Sequence, residues 1–151
     1  MERTLVLVKP DGIQRGLAGE VLSRLERKGL RLAAARFLWA DRALAEAHYA
    51  PHRERPFFAG LIAFLTSGPV LAMVWEGPRA ITHVRALMGA TDPAKAEAGS
   101  IRGDLAVSIA NNIVHGSDGP ESAAREIALF FRPEDVVDYR RAADDWVDGE
   151  E

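Results

Sequence analysis

The apolar run Thr4-Leu5-Val6-Leu7-Val8 is cut off by Lys9-Pro10-Asp11-Gly12, and this junction constrains the fold more than any other stretch of the chain. Proline fixes φ and removes a backbone donor, while Asp-Gly favours a turn, so a buried strand ends at Lys9 and passes into a loop. The apolar period then changes to a helical one. Ala18, Val21, Leu22 and Leu25 share a face, and Gly29 after Arg27-Lys28 supplies a C-terminal stop. A strand followed by an amphipathic helix must bury its face against a second layer.

The rest of the chain repeats this alternation. Residues 30–39 read as a second strand, although their alanines weaken the β preference, and Asp41 can N-cap a helix carrying Leu44, Ala47 and His48 that stops at Pro51. Residues 56–65 are aromatic and apolar and predict a buried helix. Thr66-Ser67-Gly68-Pro69 turns the chain into a strand over 70–76, closed by Gly77-Pro78. Ala80, Ile81, Val84, Leu87 and Met88 mark another amphipathic helix. A loop-rich stretch follows over 89–103, a length that usually carries function. Pro120 suits the first position of a last helix, continued by Ala124, Ile127 and Ala128. Strands separated by helices give one α/β sandwich around a small sheet. Periodicity leaves open whether that sheet is parallel or ferredoxin-like and antiparallel.

Composition narrows the chemistry. The 151 residues are 48% hydrophobic and 27% charged, which suits one soluble core. The absence of cysteine excludes disulfides, thiol nucleophiles and zinc-thiolate sites. A net charge of −3 attracts neither nucleic acid nor an anionic membrane, so an anionic ligand needs a local basic cluster. No apolar run approaches the roughly 18 residues of a membrane span, and Met1-Glu2-Arg3-Thr4 does not open a signal peptide, so a cytoplasmic location is expected.

Individual motifs differ in weight. Gly12, Gly16 and Gly19 lie between strand and helix, but neither G-x-G-x-x-G nor G-x-x-x-x-G-K-[ST] is present, and turn formation accounts for them. Lys9, at the end of a buried strand, either presents its ammonium to a cleft or faces solvent. His48 and His52 have a spacing that could hold a metal on one helix face, but Pro51 interrupts that face and no third ligand is evident. His83 reads as solvated, and Arg102-Gly103-Asp104 as a chance tripeptide. His115 in Asn112-Ile113-Val114-His115-Gly116-Ser117-Asp118 is more informative, because glycine and serine leave room and a hydroxyl beside the imidazole. Free imidazole is abundant near neutrality, so a histidine can attack phosphorus without the base a serine needs; a structural histidine at a turn is the competing reading.

From the first strand through the His115 segment, the chain resembles the nucleoside diphosphate kinases. The resemblance rests on Thr4-Leu5-Val6-Leu7-Val8-Lys9-Pro10-Asp11-Gly12, His48-Tyr49, Arg55-Pro56-Phe57-Phe58, Thr66-Ser67-Gly68-Pro69-Val70, Met88-Gly89-Ala90-Thr91-Asp92-Pro93, Ser100-Ile101-Arg102-Gly103-Asp104 and the His115 segment, in that order. It implies a ferredoxin-like α+β sandwich, a small antiparallel sheet covered by helices. Residues 1–151 would form a single domain with an acidic C-terminal tail from about residue 138, carrying Trp146 as an aromatic anchor.

The resemblance also implies a ping-pong transfer. A nucleoside triphosphate would phosphorylate His115, and a nucleoside diphosphate would then take up the phosphoryl group. Lys9, Arg85, Thr91, Arg102 and Asn112 would line the nucleotide cleft: the cations neutralise phosphate charge, Thr91 donates to a phosphate oxygen, and Asn112 contacts the sugar and phosphate region. Phe57 would stack on the base, with Phe58 in the core. Glu126 would orient the imidazole with Ser117 bridging nearby, Tyr49 would steady the region, and Nδ1 would attack. Mg2+ would arrive on the nucleotide phosphates rather than in an all-protein site. The resemblance further implies a homo-oligomer, the long tail favouring a hexamer over a tetramer. Two other readings of the same residues are a nucleotide-binding regulatory module without turnover and a phosphohistidine donor to proteins. Ala98-Gly99-Ser100 and Leu105 depart from the family's proline-glycine-threonine and phenylalanine, which bears on loop stiffness and packing but removes no proposed catalytic group.

Overall fold

A computed structural model describes residues 1–149. Strands β1 (Glu2–Val8), β2 (Arg31–Leu38), β3 (Val70–Gly77) and β4 (Val114–Gly116) form one sheet in the order β2-β3-β1-β4. Every pairing is antiparallel, which settles the topology that periodicity left open. This is the ferredoxin-like α+β sandwich.

Helices α1 (Pro10–Gln14), α2 (Ala18–Lys28), α3 (Arg42–His48), α4 (Phe58–Leu65), α5 (Ala80–Met88), α6 (Ile101–Leu105), α7 (Pro120–Phe130) and α8 (Asp144–Val147) complete the described elements apart from short 3-10 turns. Helices cover both faces of β1, so Leu5, Val6, Leu7 and Val8 are all fully buried. Each contributes about 1.5–3 kcal/mol of burial. Val6 and Val8 join Met73 and Trp75 against Val21 and Leu25 of α2 and Val84 of α5. Leu5 and Leu7 join Ala72 and Val74 against Ala45 of α3, Leu65 of α4 and Phe130 of α7.

Local signals place most of these elements. Gly29 adopts φ 106° and ends α2, a left-handed geometry that costs glycine little. Asp41 caps α3 by accepting from the Leu44 amide at 2.8 Å. Ser100 does the same for α6 through the Gly103 amide at 3.0 Å, so serine supplies the cap where the family usually has threonine. The other departure, Leu105, packs half-buried against the first core.

Several expectations are corrected. Pro10-Asp11-Gly12 begins α1 instead of forming a loop, because proline at the first helical position has no amide to leave unpaired. The 89–103 stretch contains a 3-10 turn, Pro93–Lys95, and the start of α6. In α4 only Ile62 and Leu65 are buried, so one stripe of this apolar helix enters the core. His83 is half-buried rather than solvated. The segment carrying His115 is an edge strand.

The C-terminal tail crosses β2 and is fastened there by polar contacts. The Val137 amide donates to Ala33 O at 2.9 Å, Tyr139 Oη to Leu32 O at 2.6 Å, and the Arg141 guanidinium to Leu30 O at 3.0 Å and Gly29 O at 2.9 Å. Trp146, expected to anchor the tail, is 92% exposed. The last acidic residues, 150 and 151, lie outside the described residues.

Candidate active site

The site forms where β4 joins the C-terminal end of β1. His115 pairs with Leu7 across the ladder, and Lys9, one residue beyond the end of β1, donates its amide to Ile113 O at 2.8 Å. Ile113 has φ 75°, a left-handed value that costs a β-branched residue about 1–3 kcal/mol. Its amide is held by Asp11 Oδ2 at 2.9 Å, and the Val114 amide closes the turn onto Asn112 O at 2.8 Å. Gly116 is fixed sterically, since a Cβ there would lie 2.6 Å from Met88 Sδ and 3.1 Å from Val84 Cγ1. Strained turn and close-packed glycine together set the backbone on which His115 stands.

The imidazole is held from α7. Its Nε2 lies 2.7 Å from Glu126 Oε1, and the same oxygen accepts from Ser117 Oγ at 2.9 Å. The Leu5 amide donates to Ser117 Oγ at 3.2 Å, tying the serine to β1. Glu126 and Ser117 are buried, whereas the His115 side chain is 23% exposed. A carboxylate oxygen accepts from an imidazole N–H, so this contact suits the tautomer with the proton on Nε2 and the lone pair on Nδ1.

A cationic group lies on the other side of Ile113. Lys9 Nζ donates to Asn112 Oδ1, and Asn112 Nδ2 donates to Thr91 O at 3.0 Å. Buried Arg102 donates to Asn112 O at 3.2 Å, Gly89 O at 3.1 Å and Val114 O at 2.6 Å. It thereby clamps both sides of the strained turn. Burial lowers Lys9 to about 8, opposed by Asp11 and reinforced by Arg102, and lowers Arg102 to about 10, reinforced by Arg85. Among the described residues no carboxylate forms an ion pair with Lys9, Arg85 or Arg102. The net −3 chain therefore has the local basic cluster that an anion requires.

The remaining residues lie at graded distances. Arg85 reaches toward Gly116 O at 3.5 Å from the exposed side of α5. Thr91 and Phe57 are exposed, Phe57 by 51%, with its ring 5.7 Å from that of His52. Phe58 packs on the second core, as expected. Tyr49 packs its ring on His48, centroids 4.6 Å apart, and burial, reinforced by Glu126, raises its hydroxyl to about 12.

The spacing of His48 and His52 admits a metal pair on one helix face, against which Pro51 and the lack of a third ligand argue. The structure instead buries His48 at the end of α3, edge-on to His115 with centroids 4.6 Å apart, and leaves His52 exposed. Burial first, then the nearby His115 and Arg125, hold His48 well below the usual histidine range, so it is neutral at pH 7. Asp11 was also missed; Asp-Gly after proline resembles a turn, and only the long-range contact to Ile113 reveals its use.

An antiparallel α+β sandwich that sets a carboxylate-held imidazole beside unpaired lysine and arginine charge belongs to the class of nucleotide phosphotransferases. Comparison with known proteins gives the family. A family model for nucleoside diphosphate kinase matches residues 2–136. The nucleoside diphosphate kinase of Archaeoglobus fulgidus is 57% identical over 147 residues, covering 97% of each chain. That of Thermomicrobium roseum is 58% identical over 149 residues, covering 99% of this chain and all of the relative. A solved nucleoside diphosphate kinase from Halobacterium salinarum, in complex with CDP, superposes with a TM-score of 0.94 at 53% identity and covers 97% of each chain. The chain belongs to the nucleoside diphosphate kinase family, and its activity is phosphoryl transfer between nucleotides.

Proposed function

We propose that His115 Nδ1 is the atom that carries the phosphoryl group and that Lys9, Arg85, Arg102, Thr91 and Asn112 hold the nucleotide phosphates and sugar. Nδ1 attacks the terminal phosphorus of a nucleoside triphosphate. The N–P bond forms as the P–O bond to the nucleoside diphosphate breaks, and that diphosphate leaves. A second nucleoside diphosphate then attacks through a terminal phosphate oxygen, regenerating the imidazole. The carrying observation is the 2.7 Å contact between Glu126 Oε1 and His115 Nε2, which leaves one nitrogen as the nucleophile and stabilises the positive charge the ring develops.

Lys9 and Arg102 supply fixed positive charge with little reorganisation, because both are already held by Asn112. Asn112 and Thr91 thereby link the phosphate site to the 89–103 segment. Phe57 offers an exposed face to any nucleobase, which supports broad base scope. Mg2+ enters on the nucleotide. The cleft supports this because Lys9 and Arg102 present positive charge to the phosphates, and magnesium prefers phosphate and water oxygens as its ligands. When bound, magnesium neutralises and orients the transferring phosphates.

We further propose that the whole chain acts as one domain, as a homo-oligomer with a hexamer favoured, in the cytoplasm, where its free nucleotide substrates reside. Among the described residues no helix is long and apolar enough to cross a membrane. The site assignment is tested with terminally radiolabelled triphosphate. Wild type takes up acid-labile label and exchanges phosphate between nucleotides, and His115→Gln does neither; label on a folded His115→Gln protein overturns the assignment.

A further inference from the structure

His48 is an expensive side chain for the place it fills. It is 3% exposed, and neither ring nitrogen has a hydrogen-bond partner. Each unpaired buried polar atom costs about 1–3 kcal/mol, whereas phenylalanine or leucine would fill the volume without that cost. The ring is edge-on to His115, at an interplanar angle of 82°. Ligand atoms of His48, His115 and Glu126 lie within 4.8 Å of one another. Two imidazoles and one carboxylate are the donor set of an open zinc site, with a fourth position left for water. Zinc bonds of about 2.0–2.2 Å place tetrahedral donors about 3.3–3.6 Å apart, so modest side-chain rotation closes the trio. The partly exposed His115 side chain gives an ion a way in.

We propose that His48, His115 and Glu126 bind a zinc-class divalent ion when His115 carries no phosphoryl group, and that this ion silences phosphoryl transfer. A neutral imidazole has one lone pair. Coordination through Nδ1 occupies it directly, while coordination through Nε2 moves the ring proton to Nδ1; in both cases nothing remains to attack phosphorus. Magnesium does not compete, because it prefers oxygen donors and keeps its water. The silencing rests on His115 being the nucleophile; the binding does not.

Nucleotide-free wild type is titrated with Zn2+ by calorimetry and with Co2+ by visible absorption. The expected result is one site per chain with the intense visible bands of tetrahedral Co2+. Affinity falls roughly tenfold or more in His48→Phe, and the bands vanish once His115 is phosphorylated. The phosphorylated wild type is the control if His48→Phe does not fold. Absence of tetrahedral bands, bands that persist once His115 is phosphorylated, or unchanged affinity in a folded His48→Phe overturns the site. Acid-labile label without bands overturns the metal site alone, and bands without label overturn the nucleophile assignment alone.

Discussion

Glu126 Oε1 lies 2.7 Å from His115 Nε2, joining α7 to the edge strand β4 at the point where Ser117 Oγ approaches the same oxygen at 2.9 Å. Because Ser117 is held in turn by the Leu5 amide, the carboxylate has little freedom to leave the imidazole. Orientation of the nucleophile is therefore tied to the central strand of the sheet.

Removing that carboxylate tests the relationship. A charge-assisted hydrogen bond contributes about 1.5–3 kcal/mol, so Glu126→Ala is expected to slow His115 phosphorylation roughly 10- to 150-fold. Nucleotide affinity should change little, since Glu126 faces the imidazole and not the cationic cluster. Single-turnover labelling separates the two quantities; unchanged labelling would remove Glu126 from the mechanism.

Lys9 gives a pH dependence. Burial, opposed by Asp11, brings its ammonium down to about 8, so in the free enzyme its charge is lost as pH rises through that value. The kcat/KM profile, which reports the free enzyme, is expected to fall above about pH 8, and Lys9→Gln to lower kcat/KM and flatten that limb. Folding moves the other way. Between the folded value of about 8 and the ordinary 10.5 the unfolded chain binds more protons, so the lysine's burial destabilises less as pH rises through this window.

A buried ion-pair network lies at the opposite end of the sheet. Buried Glu76 on β3 accepts from Arg3 Nε at 2.7 Å and Arg31 Nε at 2.9 Å, and Arg31 also reaches Asp144 of the tail at 3.2 Å. Desolvation opposes ionisation of Glu76, but the hydrogen bonds and charges of the two arginines hold it below the usual carboxylate range. Its contribution is present above the unfolded-state value of 4.5 and is lost as pH falls through the lower folded value. Glu76→Ala leaves Arg31 without its buried partner and is expected to cost about 3–5 kcal/mol at pH 7, measured by urea unfolding, with a smaller deficit under acid conditions.

Sequence legibility followed the range of the interaction responsible. β1, α2 and the cap of α3 were readable because a proline, a glycine and an aspartate act within a few residues of themselves. Strand β4 was not, because Val114, His115 and Gly116 become a strand only by pairing with Val6, Leu7 and Val8. His115, Lys9 and Arg102 were legible as a set through the family resemblance, whereas the shared attachment of Lys9 and Arg102 to Asn112 was not. His48 is the clearest case: nothing in its local sequence points to His115, which it meets only because α3 packs against α7 beside β4. Trp146 failed for a related reason, since an aromatic in an acidic tail needs a receiving surface and the described chain provides none.

Assembly gives a further measurement. β2 is a sheet edge, and Phe37 and Trp39 at its end are each 64% exposed, while Val107 and Ile109 beyond α6 are 97% and 57% exposed. The tail bonds to the β2 backbone at Leu32 and Ala33, and exposed apolar side chains such as Phe37 and Trp39 favour association. Light scattering at neutral pH is expected to give the mass of a hexamer, and a tetramer or dimer mass refutes that expectation.

The adjacent phenylalanines separate binding from folding. Phe57 is 51% exposed and free to meet a base, whereas Phe58 packs against the second core. Stacking on an aromatic ring contributes about 1–3 kcal/mol, so Phe57→Ala is expected to raise KM roughly 5- to 150-fold with kcat little changed, because the base is held equally in ground and transition states. Thermal stability should be retained, since little buried area is lost. Phe58→Ala should do the reverse, leaving KM near wild type while lowering stability by about 2–4 kcal/mol through the cavity left under α4. Measuring KM and urea midpoints for both variants decides the assignment: if Phe58→Ala raises KM and Phe57→Ala does not, the base platform is misassigned.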